Sequence, residues 1–202
     1  MINKSLKMDL RWISIATLIM AVALWRSFIS DGSTFVAANF TPIGAMALFS
    51  GAHFYGRVSR YLFPVIVLLI SDIVLGFKES GFNTDNILYD GWFWVYLAFI
   101  VAVFFGEKIA NHIRFTTIAS ASVGTALVHW LLSDFGFWLT GGINVISGLP
   151  FEQSVEGLMT CYTLGFPFFL KLAGSTLLYS LMLFGSYFFL KRLRSSELAI
   201  QS

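Results

Sequence analysis

Charge is scarce in this sequence. Of its 202 residues 12% are charged and 57% are hydrophobic, whereas a soluble domain is roughly a quarter charged. That shortage excludes an ordinary water-facing surface. Cysteine is nearly absent. Cys161 stands alone, so neither an internal disulfide framework nor a multi-cysteine metal site is available. The few basic residues fall in pairs at the ends of apolar runs instead of along one face, which leaves no footprint for nucleic acid. Catalytic signatures are missing too. No G-x-x-x-x-G-K-[ST] loop is present, so the chain does not itself hydrolyse ATP. There is no H-E-x-x-H, no G-x-S-x-G and no Cys–His pair. His53, His112 and His129 share no helix face at metal-ligand spacing. The expectation is a protein that is not an enzyme, with no cofactor and no metal.

What remains is organised by its apolar runs. Six are read, at about residues 10–30, 36–55, 60–77, 92–109, 115–139 and 168–190. Charges alternate between the gaps. With the N-terminus inside, one side holds Lys4, Lys7, Arg11, Arg57, Arg60, Lys108, Arg114, Lys191, Arg192 and Arg194. The other holds only Arg26, Lys78 and Lys171, beside Asp31, Glu79, Asp85, Asp90, Glu152 and Glu156. Because basic loops resist translocation, this bias sets orientation. The predicted fold is all-α: a single polytopic integral membrane domain over 1–202, with six transmembrane helices and both ends inside. Lys4, Lys7 and Arg11 before an apolar run also suit a signal peptide. That run continues through Leu24-Trp25, however, too bulky for a cleavage region, so it reads as a span.

The second run is short. Thr41-Pro42 reads as an N-cap and first helical residue, and a helix from Pro42 to Tyr55 measures ~21 Å against a hydrocarbon core of ~30 Å. The segment around Asn39 is therefore expected to enter the membrane as non-helical chain lining a cavity. Small residues four apart, Ala47/Gly51, Ala52/Gly56, Ser120/Gly124 and Ser122/Ala126, allow close helix approach. Residues 141–167 form the longest connection. Phe151, Val155, Leu158, Met159 and Tyr162 recur there at helical spacing, which predicts a surface helix over about 151–163. Gly165 and Pro167 are expected to break it before the last span.

Two acids lie inside spans, Asp72 and Asp134, each after a Leu-x-Ser step. A carboxylate at that depth is costly unless paired or hydrated, so it faces the bundle or a wet cavity. One reading makes them ligand or cation contacts in an outward pocket; the other makes them bundle fixings bonded to neighbouring Ser and another helix. Counted from flanking charges their depths differ by ~5 Å, which argues against a proton-sharing aspartyl pair. Lys171 is the one cation near this region, set to meet an anionic group, pair with an acid or snorkel. Asn39 and the helix start at Pro42 add a partly positive end. Phe35, Phe40, Trp138 and Tyr162 supply stacking walls. Cys161, on the outer connection, either touches ligand or is a small buried hydrophobe. The predicted substrate-binding residues are Asn39, Asp72, Asp134, Lys171, Trp138 and Tyr162.

Four blocks carry a resemblance: residues 39–52 (NFTPIGAMALFSGA), 69–77 (LISDIVLGF), 133–139 (SDFGFWL), and the stretch from Cys161-Tyr162 through Pro167-Phe168-Phe169 to Leu177-Leu178-Tyr179. Together they resemble an uncharacterised family of bacterial membrane proteins that is similar to the substrate-binding S-components of energy-coupling-factor transporters. The resemblance implies a six-helix S-component-like bundle in the bacterial cytoplasmic membrane. It also implies capture of a vitamin-like micronutrient in an outward pocket, and delivery through a separate transmembrane coupling subunit with two ATPases. The lack of an ATPase motif fits that division of labour. A scaffold subunit of a membrane complex, with no small-molecule ligand, is the alternative.

Overall fold

The structure, a computed structural model, describes residues 40–80, 88 and 91–200. Five helices form among them: α1 Ile43–His53, α2 Arg57–Ser80, α3 Trp92–Ile109, α4 Phe115–Leu139 and α5 Val155–Ile200. The described chain is all-helical apart from one isolated bridge between Ile143 and Pro150. Three stretches are long and apolar enough to cross a membrane: α3, α4 and Val155–Phe189 of α5. Six spans were expected, so the described residues supply half that number. At 11 residues α1 is ~16 Å long. α2 is continuous but carries Arg57, Arg60 and Asp72. The expected first span and Asn39 lie outside the described residues.

Helix α1 starts one residue later than expected. Pro42 takes the cap position without a side-chain bond, and its carbonyl accepts from Met46 N–H at 2.9 Å. The helix is apolar on nearly every side, the mark of a fully surrounded element. It touches each of the other four helices. One side joins Val67, Leu68, Tyr96, Phe99, Ala102 and Val103 in a core. Its other side sets Leu48 against Ile118, Ala121 and Phe184. The crossing with α3 is backbone against backbone. A Cβ at Gly51 would collide with the Val103 carbonyl oxygen, and one at Gly106 would collide with that of Leu48. The small Ala47/Gly51 step thus lets the two helix backbones approach closely.

At the basic end Arg60 ties three elements together. Its Nε donates to Phe54 O at 2.7 Å, and Nη1 meets Glu107 Oε1 at 3.1 Å. Tyr61 donates its hydroxyl to Glu107 Oε2 at 3.2 Å. Ser50 Oγ donates to Arg60 O at 3.0 Å. Charge-assisted bonds of this kind are roughly twice as strong as neutral ones, and here they fix the turn between α1 and α2 onto α3.

The expected break between a surface helix over 151–163 and a last span over 168–190 does not occur. α5 runs unbroken from Val155 to Ile200 with Pro167 inside it. Pro167 does remove the donor for the Thr163 carbonyl, but in a helix apolar enough to span a membrane neighbouring helices and side chains make a proline tolerable. The adjacent Tyr162 carbonyl receives the Trp130 indole N–H at 3.2 Å. Gly165 acts as a spacer instead of a terminator, as described below. Before α5 the chain makes a compact loop. Gly141 (φ 78°) and Gly148 (φ 70°) take left-handed conformations, and Asn144 Oδ1 accepts from Ile146 N–H at 2.9 Å.

Candidate functional site

The two acids set within apolar runs are satisfied very differently. Asp72, on α2, is 3% exposed and accepts from the Tyr96 hydroxyl of α3 at 3.0 Å. Ser71 beside it, also buried, turns its hydroxyl to Leu68 O. Asp134, on α4, faces α5. Its Oδ1 lies 3.5 Å from Ser133 Oγ, at the limit of a hydrogen bond. Its Oδ2 is buried and makes no hydrogen bond of good geometry, since the Trp130 indole beside it is turned to the Tyr162 carbonyl; it rests so closely on Gly165 that a Cβ there would overlap it. The Cys161 thiol, buried one turn earlier on α5, donates to the Asp134 backbone carbonyl at 3.4 Å. Cys161 is helical, as the expected surface helix over 151–163 has it, but it lies within the continuous α5 and turns to α4.

Register places these groups. Trp94 packs on Gly136, Phe105 on Gly124, and Phe99 on His129 at 5.1 Å. Tyr96 thus falls level with Ser133 on the facing helix. Asp72 is held in the α2–α3 seam and Asp134 in the α4–α5 seam, so they form no pair. Along the α4–α5 seam Trp130 meets Phe169 at 5.4 Å and Tyr162 at 5.5 Å.

Tyr162 and Trp138 join Asp134 in this seam, but both are pinned. The Tyr162 hydroxyl donates to Leu131 O at 3.1 Å. The Trp138 indole donates to Glu152 O at 2.8 Å, and Gln153 Nε2 donates back to Trp138 O at 2.7 Å. Trp138 therefore latches the connection onto α4. Lys171 lies farther along α5, with its ammonium 5.4 Å from the Phe168 ring centroid. The contacts of Asp134 do not include it. Of the six expected residues, Asp134, Trp138 and Tyr162 are brought together, Asp72 and Lys171 are apart from them, and Asn39 lies outside the described residues.

A family model described as a family of unknown function, DUF6580, matches residues 6–198. The chain belongs to the DUF6580 family. No curated protein and no solved structure matches it.

Two features of this DUF6580 member escaped sequence reasoning. Tyr96 is recognisable in sequence only as part of an aromatic belt with Trp92 and Trp94; that it serves Asp72 depends on helix pairing. Deeper in the bundle Ser122 and Thr125 of α4, and Thr176 and Ser180 of α5, are fully buried. Their hydroxyls have no hydrogen-bond partner. Thr176 packs directly on Gly44 of α1. Serine and threonine are ordinary in membrane helices, so only the packing distinguishes these four.

Proposed function

We propose that this DUF6580 protein is the substrate-binding subunit of a micronutrient uptake system in the bacterial cytoplasmic membrane. Asp134 Oδ2 carries the reading. A buried carboxylate oxygen without a hydrogen bond of good geometry is expensive in a membrane helix, and such groups mark binding or transport positions. Trp130 and Tyr162 lie beside it and Trp138 follows one turn along α4, an aromatic setting suited to a polar, ring-containing metabolite such as a vitamin. In this reading the chain crosses the membrane six times with both ends inside. Its first span and Asn39 complete an S-component-like bundle around an outward pocket. Asp72 and Lys171 contribute polar contacts at its margins, and a separate coupling subunit and ATPases supply energy.

A second reading, a scaffold subunit without a small-molecule ligand, is favoured by one observation. Asp72 is bonded across helices by Tyr96, as a structural acid should be. Native mass spectrometry of the protein purified gently from cells in rich medium separates the two. Uptake predicts a stoichiometric adduct of a few hundred daltons or more that is lost in Asp134→Asn while the variant still inserts and folds. A co-purifying protein with no small-molecule adduct supports the scaffold instead.

A further inference from the structure

At the basic end of the molecule a groove of about 330 Å³ opens between the end of α3 and the start of α4. It lies away from the Asp134 seam and no part of the uptake reading uses it. Its floor is apolar: Phe105, Ile109, Ala121 and Gly124. A Cβ on Gly124 would stand 3.4 Å from the Phe105 ring, so the missing side chain deepens the groove. Its rim is polar, with Lys108, Thr116, Thr117 and Ser120. Two of those hydroxyls are already engaged. Thr117 Oγ1 donates to His112 O at 2.7 Å and accepts from Arg114 N–H at 2.9 Å. Ser120 Oγ donates to Thr116 O at 2.8 Å. Lys108 and Thr116 remain exposed, and Arg114, exposed two residues before Thr116, caps α4.

The charge here is one-sided. Glu107, the nearest acid, is occupied by Arg60 and Tyr61 on the other side of α3. Lys108 instead leans outward, its ammonium 4.9 Å from the centroid of the exposed Phe104 ring. A basic, hydroxyl-bearing rim above an apolar trough, between two helices able to span a membrane, complements one kind of molecule. The trough takes a hydrocarbon chain and the rim takes a phosphate. Basic pockets between membrane helices bind anionic headgroups in this way.

We infer that the α3–α4 groove is a site for an anionic phospholipid, its phosphate held by Lys108 and Thr116 and one acyl chain lying along Phe105, Ile109 and Gly124. The site is independent of whichever ligand Asp134 serves, so either can fail alone.

The test uses the full chain, delipidated in mild detergent and offered phosphatidylglycerol or phosphatidylcholine, with bound lipid read by native mass spectrometry. A one-to-one phosphatidylglycerol adduct is expected, preferred over phosphatidylcholine. Lys108→Ala should weaken that preference about fivefold, the worth of one basic residue at a membrane surface, and Lys108→Arg should retain it. Lys108 is exposed, and an unchanged thermal transition confirms that the alanine variant folds. Equal retention of the two lipids, or a preference untouched by Lys108→Ala, overturns the inference. Displacement of the phosphatidylglycerol adduct by inorganic phosphate alone overturns it as well, because the headgroup would then bind without its chain.

Discussion

Asp134 and Gly165 are complementary at the scale of single residues: the carboxylate fills the space that a Cβ would take. Gly165→Ala should therefore destabilise the protein by about 1–3 kcal/mol, the usual cost of overpacking. Adding Asp134→Ala should recover much of that loss, because residues in contact do not behave additively. Thermal unfolding of the four proteins of this cycle in detergent measures it, and strict additivity would show that the two residues do not touch. Asp72 and Asp134 are visible in the sequence as residues out of place in apolar runs. Which of them is satisfied is not visible, since the Tyr96 hydroxyl and the Gly165 gap are supplied by other helices. Cys161 illustrates the same limit: burial and a bond to the Asp134 carbonyl follow from helix pairing, which the chain order alone does not express.

Among elements, α1 and α3 cross backbone against backbone, with Gly51 Cα 3.1 Å from where a Cβ on Gly106 would stand. The backbone carbonyls that block a side chain here cannot swing aside. Gly51→Ala should lower stability by about 1–3 kcal/mol, whereas Ala52→Gly, on the partly buried neighbouring position, should cost about 1 kcal/mol through helix propensity. Comparing the unfolding of the two variants checks the packing explanation, and a smaller loss for Gly51→Ala would refute it. The Ala47/Gly51 step was readable because its spacing repeats the helix turn. The continuity of α5 was not, because Gly165 and Pro167 are the residues that end helices in water. In this bundle the same residues are accommodated by the neighbouring α4, which supplies the Asp134 side chain and the Trp130 indole.

For the molecule as a whole, the alternation of charge predicts orientation. Reporters fused after residue 202 should be active inside the cell, and reporters inserted in the 141–154 connection should be active outside. The same location for both insertions would reject the N-in, C-in arrangement. Charge bias sets orientation through the gaps between runs, so it can be read from sequence. The number of crossings is less legible: among the described residues three helices are long and apolar enough to cross where the sequence suggests six, because the first run lies outside them, α1 is only 11 residues long and α2 carries Arg57, Arg60 and Asp72. Pro167 carries a mechanical consequence. It interrupts the hydrogen-bond ladder of α5 where the segment seated on Asp134 gives way to the segment bearing Thr176 and Phe184. The ladder lacks one rung there, so a load along α5 should bend it at that turn before any other.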